Sequence, residues 1–239
     1  KHMASAQNDI VNPNTTGILQ MLLGSYGLST PPLMYNDSHI TDGRTEENPP
    51  RGPTGDVRAW EGHTGKLVRT FRSIPRAGEK HNDTWAGDSW KNRTGVNVWG
   101  FLTVDVKRGI VYMPFGAPSV DQYGGDREGD NLFSSSLVAA DANTGKYLWH
   151  FQVVHHDIWD ADLAAAPALI DVRHNGLTIP AVAAINKMGL LFLLDRVTAR
   201  PIYGVEDRPV PPSEVPRAGA ARPHPFPPKP APRPRRTPT

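Results

Sequence analysis

Residues 137–160 read LVAADANTGKYLWHFQVVHHDIWD, and this segment is the most informative about the fold class. Two runs rich in apolar, aromatic and β-branched residues, 137–141 and 147–154, flank the turn sequence Asn143-Thr144-Gly145. Such runs on either side of a short turn with glycine are typical of a β-hairpin. The sequence therefore predicts a hairpin whose second strand ends at a polar cluster, which comprises His155, His156, Asp157 and Asp160.

The composition of the 239-residue chain favours many short elements over long helices, because it includes 24 prolines and 22 glycines. The chain has no cysteine, which excludes a disulfide scaffold and a thiolate metal site. No run of 18 apolar residues occurs, so we expect no transmembrane segment.

Proline and positive charge are concentrated at the end of the chain. Twelve of the 24 prolines lie between Pro209 and Pro238, and residues 215–239 carry six Lys or Arg and no acid. This part contains a single aromatic residue, Phe226, so we interpret it as a solvated extended tail and expect no nucleic-acid partner. The predicted organisation is an expression-vector scar with a disordered N-terminus at 1–12, a β domain at 13–208, and a Pro/Arg-rich tail at 209–239.

A second copy of the hairpin pattern lies 80 residues upstream. The alignment has no gap and pairs Ala59, Thr64, Gly65, Lys66 and Phe71 with Ala139, Thr144, Gly145, Lys146 and Phe151. A looser third copy spans residues 195–203, where Ala199 replaces the glycine, and residues 104–112 form another strand, turn and strand. Hairpins centred near residues 65, 109, 145 and 199 are 36 to 54 residues apart, which brackets the roughly 40 to 50 residues of a four-stranded propeller blade.

This spacing favours an all-β propeller over its alternative, a β-sandwich with coincidental Thr-Gly turns. A weak strand pair is expected over 33–40, and a buried hairpin over 178–194. Because proline cannot donate a hydrogen bond to a central ladder, we place Pro180 at the start of its strand.

The motif at residues 139–149 resembles the tryptophan-docking motif of the quinoprotein dehydrogenases, enzymes that use pyrroloquinoline quinone (PQQ) and have an eight-bladed propeller. Glu61, Arg69 and Tyr203 depart from it in the other two copies. Four segments are similar to the membrane-type glucose dehydrogenases of this family, in the same order: 88–100 (DSWKNRTGVNVWG), 123–133 (YGGDREGDNLF), 155–160 (HHDIWD) and 187–192 (KMGLLF). The resemblance covers about residues 25 to 215 and implies about four blades of such a ring.

The resemblance also implies roles for three residues, and the position of a fourth follows from its spacing to one of them. Asp160 matches the catalytic base that takes the proton of the substrate hydroxyl; the alternative is an aspartate that caps the turn after Trp159. Lys187 matches a lysine beside the quinone oxygens; the alternative is a solvated turn lysine. Trp99 matches the tryptophan on which the planar cofactor stacks, and Asn97, two residues earlier on the same strand face, is expected at the cofactor rim.

The family's metal ion is Ca²⁺, which requires several oxygen ligands. The resemblance assigns Asp160 as one ligand, but Ala117 stands at the position of a ligand asparagine, and the segment with a ligand glutamate has no counterpart in this chain. We therefore expect an incomplete cofactor site. His155 and His156 are not expected to share a metal ion, because adjacent strand residues point to opposite faces.

The first functional hypothesis is part of a periplasmic PQQ-dependent dehydrogenase that oxidises sugar or alcohol hydroxyl groups. The second is a non-catalytic β scaffold or binding module that self-associates as a homodimer, since an open propeller leaves unpaired sheet edges. The third is a hydrolase in which His155, His156, Asp157 and Asp160 activate water, although no Ser or Cys stands in a nucleophile motif.

Overall fold

The computed structural model of the protein describes residues 26–219 and 223–229. The predicted N-terminal scar and an apolar patch at 18–23 lie outside these residues, as does the end of the predicted tail. Within the described part, regular structure consists of strands and one 3₁₀ turn, Asn82–Thr84, which confirms the all-β class. None of the helical structure described there could cross a membrane.

Within the described residues, fifteen strands form five antiparallel sheets. Their bounds are β1 Tyr26–Gly27, β2 Leu33–Tyr35, β3 Ser38–Thr41, β4 Arg44–Thr45, β5 Val57–Glu61, β6 Leu67–Phe71, β7 Thr103–Asp105, β8 Ile110–Pro114, β9 Ser136–Asp141, β10 Tyr147–Gln152, β11 Ala168–His174, β12 Leu177–Ile185, β13 Leu191–Asp195, β14 Glu206–Arg208 and β15 His224–Phe226.

In three of these sheets, strands that follow one another along the chain lie side by side, as expected for the blades of a propeller; β4 alone is passed over. The first sheet has the order β2-β3-β5-β6, the central sheet β10-β9-β8-β7, and the third sheet β11-β12-β13. The hairpins predicted near residues 65, 109 and 145 are the pairs β5-β6, β7-β8 and β9-β10. Near residue 199 the chain turns back on β13 through a single bridge between Leu194 and Pro201. The number of blades stays a prediction.

The central sheet is buried on both faces because its strands are apolar at successive positions. Val111 and Met113 contribute to a core shared with the first sheet, while Ile110 and Tyr112 contribute to a core shared with the third sheet. Since successive side chains of a strand point to opposite faces, an uninterrupted apolar strand must be covered on both sides. The central sheet therefore lies between its two neighbours.

The hairpin turns are closed by the acidic residue of each repeat. Asp141 Oδ1 accepts hydrogen bonds from the backbone N–H groups of Asn143 and Thr144, at 2.9 and 2.8 Å. Glu61 does the same for Thr64 in the first copy. Gly145 has a φ of 73°, which glycine adopts without the cost that a side chain would add. The repeated motif thus defines the turn chemistry.

Trp149 of β10 packs between two sheets, as the resemblance implies. It is 7% exposed, belongs to the core shared with the third sheet, and its ring centroid is 5.8 Å from that of Tyr112. In the first copy Arg69 occupies the tryptophan position and donates from Nη2 to the backbone oxygen of Ala142 at 2.6 Å. The arginine therefore links the first sheet to the central hairpin by a polar contact.

The predicted placement of Pro180 is wrong. β12 begins at Leu177, and Pro180 lies inside it, opposite Asp171 of β11. The Pro180 oxygen accepts from the N–H of Arg196, just past the end of β13. Since the nitrogen and oxygen of a strand residue face the same neighbour, the missing N–H falls where the β13 ladder has already ended.

Part of the predicted tail forms a strand. β15 pairs with β14, and His224 is only 2% exposed. Pro225 pairs with Asp207 in a two-stranded sheet, where both strands are edge strands, the position at which sheets accept proline. The domain boundary at residue 208 stays a prediction.

Candidate active site

A cavity of about 530 Å³ lies beside the ends of the central and third sheets. Its lining includes Asn97, Trp99 and Lys187, three of the residues predicted for the site. The rest of its wall comprises β4 with the residues that follow it (44–48), the loop residues Gly116, Ala117, Ser119 and Asp121, and Ser29, Gly95 and Asp162. The volume falls within the range of small-molecule pockets.

Lys187 is the centre of the polar contacts in this cavity. It lies in the turn between β12 and β13, which is closed by a hydrogen bond from the N–H of Gly189 to the oxygen of Asn186. Its Nζ is 2.6 Å from Asp160 Oδ1 and 2.8 Å from Asp162 Oδ2. The same ammonium is 5.1 Å from the centroid of the Trp99 ring, within the range of a cation–π interaction.

Asp162 holds the surrounding elements in place. Oδ2 accepts from Trp99 Nε1 at 2.9 Å, and Oδ1 accepts from the backbone N–H of Ala117 at 2.5 Å. A Cβ on Gly116 would be 2.8 Å from Asp162 Oδ1, so this close approach requires glycine. The fixed carboxylate sets the orientation of the Trp99 ring.

Asp160 is presented by a loop, not by the strand itself, because β10 ends at Gln152. The fully buried Asp157 organises this loop: it accepts from Ser135 Oγ and from the backbone N–H groups of Trp159 and Ala161, at 2.6, 2.9 and 2.9 Å. The turn-capping role considered for Asp160 thus belongs to Asp157. This leaves the Asp160 carboxylate available to contact Lys187.

Two carboxyl groups of this region, those of Asp160 and Asp121, have raised pKa values. Desolvation raises the pKa of Asp160; the hydrogen bond from Lys187 opposes this rise, and the charge of Asp162 adds to it. Partial burial alone would lower the pKa of Lys187, but its contacts with Asp160 and Asp162 outweigh burial and raise it. Burial, with the negative charges of Glu47, Asp160 and Asp162, raises the pKa of Asp121 to about 7.

The structure places the four predicted site residues in one region, but only three of them line the cavity. Trp99, Asn97 and Lys187 line the cavity, whereas Asp160 does not and reaches it through Lys187 Nζ. Asn97 and Trp99 lie on a segment without regular secondary structure, so the expected strand face is absent there in the described chain.

Sequence reasoning missed the anchoring role of Asp162 and the position of Asp121 on the cavity wall. Asp162 follows Asp160 by two residues and precedes no recognisable motif, so the short spacing between the two acids was its only signal. Asp121 had no local signal, because its neighbours in the cavity come from distant segments.

These residues fit a planar quinone. Trp99 lines the cavity and keeps 40% of its surface exposed although its N–H is bound, so part of the indole is open to a ligand. The Lys187 ammonium is 5.1 Å from the ring centroid, and Asn97 adds an amide to the lining. A flat apolar surface with a few polar groups at its margin suits a tricyclic ligand.

The arrangement does not fit a Ca²⁺ site. Within residues 26–219 and 223–229, no group of three or more His, Asp or Glu is placed to hold a metal ion. Asp160 Oδ1 faces the Lys187 ammonium instead, at 2.6 Å. The assignment of Asp160 as a metal ligand therefore stays a prediction.

Comparison with known proteins identifies relatives along almost the whole chain. Residues 7–239 match the family model described as PQQ glucose/ethanol/alcohol dehydrogenase, beta-propeller domain. This match extends beyond residues 25–215, over which the motifs resemble the family.

Two curated relatives illustrate the similarity. Quinoprotein glucose dehydrogenase A of Acinetobacter calcoaceticus is 34% identical over 194 residues, which are 79% of this chain and 24% of that protein. Quinate/shikimate dehydrogenase (quinone) of Acinetobacter baylyi is 37% identical over 166 residues, 69% of this chain and 20% of that protein. The chain thus spans about a quarter or less of these relatives.

Solved structures agree with the fold. Quinohemoprotein alcohol dehydrogenase from Comamonas testosteroni superposes with a TM-score of 0.66 at 26% identity, over 82% of this chain and 30% of that one. A europium-containing methanol dehydrogenase gives a TM-score of 0.67 at 23% identity, over 82% of this chain and 37% of that one. The chain therefore belongs to the PQQ-dependent glucose, ethanol and alcohol dehydrogenase family and has the β-propeller fold of that family's domain.

Proposed function

We propose that the chain carries part of the active site of a PQQ-dependent dehydrogenase that oxidises a hydroxyl group of a sugar or alcohol. The observation that carries this proposal is the contact of one ammonium group, Lys187 Nζ, with Asp160, Asp162 and the face of Trp99. These residues come from three separate segments of the chain. The relatives that act on glucose, quinate or glycerol support the substrate class.

Each side chain has a distinct task in this proposal. Trp99, Lys187 and Asn97 would hold PQQ, which would supply the hydride acceptor for oxidation of the substrate carbon that carries the hydroxyl group. Asp160 takes the proton of that hydroxyl group as the O–H bond breaks and the carbonyl forms. Lys187 places positive charge where negative charge develops, Trp99 supplies the stacking surface, and Asn97 contacts the rim. Asp162 fixes the position of the Trp99 ring relative to the Lys187 ammonium group.

The test is reduction of an artificial electron-accepting dye by the chain after incubation with PQQ, with glucose, ethanol, glycerol and quinate as substrates. We expect dye reduction that depends on both PQQ and substrate. A control without substrate corrects for direct reduction of the dye. Absence of turnover with all four substrates under PQQ saturation would contradict the proposed activity. A parallel series of assays contains Ca²⁺, because Asp160 is the one residue that we propose as its ligand here.

We also propose a periplasmic location for the protein, on the basis of the same resemblance.

A second candidate is a self-associating scaffold, favoured by the outer face of the third sheet. Val182, Phe192 and Leu194 face the central sheet, so the alternate residues face away from it. On that outer face Ile170 and Ile185 are 40% and 41% exposed. The occupant we propose is a second copy of this chain, because an apolar sheet face of one copy can cover that of the other.

Light scattering tests this association. We expect a homodimer at micromolar concentration, and Ile185→Arg should shift the mass toward that of the monomer because it places a charge on the apolar face. Val68→Arg, at a position 52% exposed on the first sheet, is the matched control. A monomeric wild type, or a dimer that Ile185→Arg leaves intact, would contradict the proposed interface.

A further inference from the structure

The loop that presents Asp160 is covered by a distant part of the chain. We call residues 153–160 the Asp160 loop, and residues 215–219 with 223–226 the clip. Ala218 and His224 of the clip are 0% and 2% exposed, so both are buried against the body of the protein. A polar, proline-rich segment is not expected to bury residues unless it makes specific contacts.

The clip contacts the start of the Asp160 loop through His224. The backbone N–H of His155 donates to His224 Nδ1 at 3.1 Å. Burial, with the nearby His155 and His156, lowers the pKa of His224 to about 4. The ring is therefore neutral near pH 7, as an accepting nitrogen requires.

His224 also contacts the other end of the same loop. Its ring meets that of Trp159 edge to face, with centroids 5.2 Å apart and an interplanar angle of 88°. Trp159 is the residue directly before Asp160. One imidazole therefore restrains the loop at His155 and again next to the carboxylate.

A second contact ties the clip to the middle of the loop. The two ring nitrogens of His156 face the backbone oxygens of Gly129 and Ala218, at 2.8 and 3.2 Å. A Cβ on Gly125 would be 2.3 Å from the Arg217 oxygen, so the two backbones touch there. The clip is thus packed closely on the polypeptide around His156.

We infer that the clip is a positioning element, in which His224 holds the Asp160 loop so that the Asp160 carboxylate stays at Lys187. The inference rests on the proposed role of Asp160 as the base. His224 touches neither cavity nor substrate in this account and acts only through the loop. A shift of the loop would misplace the carboxylate relative to the substrate hydroxyl, and small misplacements are costly to rate.

The first test measures the loop without cofactor. In His224→Ala the amide hydrogen of His155 should exchange about ten times faster or more than in the wild type, because its hydrogen bond is lost. His224→Gln, whose amide oxygen can accept, should restore most of the protection, and amides of β9 and β10 should not change. His63→Ala, at an exposed turn, is the control. Unchanged exchange at His155 in His224→Ala would overturn the inference.

A measurement on the wild type keeps the inference testable if His224→Ala does not fold. The ¹⁵N resonance of His224 Nδ1 at pH 7 should be that of an unprotonated nitrogen that accepts a hydrogen bond. A protonated Nδ1 would overturn the proposed contact.

The second test measures the consequence for catalysis in the PQQ-dependent dye assay. His224→Ala should lower kcat by about 10- to 100-fold, while the affinity for PQQ stays within about twofold, and His224→Gln should recover most of the rate. Full kcat in His224→Ala despite a loosened loop would overturn the positioning role. If the wild type itself is inactive, the proposed function fails, and exchange and nitrogen resonance still decide whether the clip holds the loop.

Discussion

Replacing Asp160 by Asn will lower the rate of PQQ-dependent dye reduction by about 100-fold or more, because general base catalysis typically contributes 10²- to 10⁴-fold. Asparagine has nearly the same shape and can still accept a hydrogen bond from Lys187, but it cannot take a proton. The loss should appear in kcat. The Asp160 loop should remain folded, since Asp157 closes its turn independently.

The pH dependence of this rate provides a second check on Asp160. A base works only when ionised, so the rate should rise with pH through the pKa of Asp160. Desolvation raises that pKa above the usual range of an aspartate, so the rise should fall at higher pH than for a surface carboxylate. This rise of the rate with pH should be absent in Asp160→Asn. Asp37→Asn, at an exposed position, serves as the control. A rate in Asp160→Asn above one tenth of the wild-type rate would contradict the role of Asp160 as general base.

Replacing Trp149 by Ala will lower the free energy of unfolding by about 3 to 5 kcal/mol, the usual cost of removing a buried large aromatic side chain. Trp149 packs on Tyr112 in the core between the central and third sheets, so its loss opens a cavity between two sheets. Urea unfolding measures the change. The adjacent Leu148 is 43% exposed, and Leu148→Ala should cost less than about 1 kcal/mol.

A loss below about 1 kcal/mol in Trp149→Ala would contradict the docking role of this residue. The loss in free energy of unfolding in Trp149→Phe should fall between those of Trp149→Ala and Leu148→Ala, because phenylalanine keeps an aromatic ring in the same core. Among residues 26–219 and 223–229, the indole N–H of Trp149 has no hydrogen-bond partner, so the expected loss comes from packing and not from a polar contact.

The hairpins could be predicted from sequence because their determinants are local. Asp141 and Thr144 close a turn within a few residues, and Gly145 supplies its left-handed backbone. The same local logic identified the first copy, where Glu61 takes over the aspartate's role. Pro180 misled the prediction because its tolerance depends on where a neighbouring strand ends, which no local pattern records.

Only those site residues that the family resemblance assigns could be predicted from the sequence. Resemblance assigned Asp160 and Lys187, and the structure places them in contact. Asp162 was missed because its partners, Trp99 and Ala117, are 63 and 45 residues away. The clip was missed for the same reason, since His155 and His224 are 69 residues apart and proline-rich sequence normally predicts an unpacked tail. Long-range polar contacts between irregular segments leave no periodic signal.

Direct titration with PQQ, followed by the quenching of tryptophan fluorescence, tests the central claim that this chain holds a quinone site. We expect saturable binding of one PQQ per chain, and at least about fivefold weaker binding in Trp99→Ala, since stacking on an aromatic ring is worth on the order of 1 kcal/mol or more. Trp90→Phe is the control, because Trp90 packs against the core outside the cavity. Saturable binding that depends on Trp99 would support the account, whereas the absence of saturable binding, or equal affinity in Trp99→Ala, would contradict it.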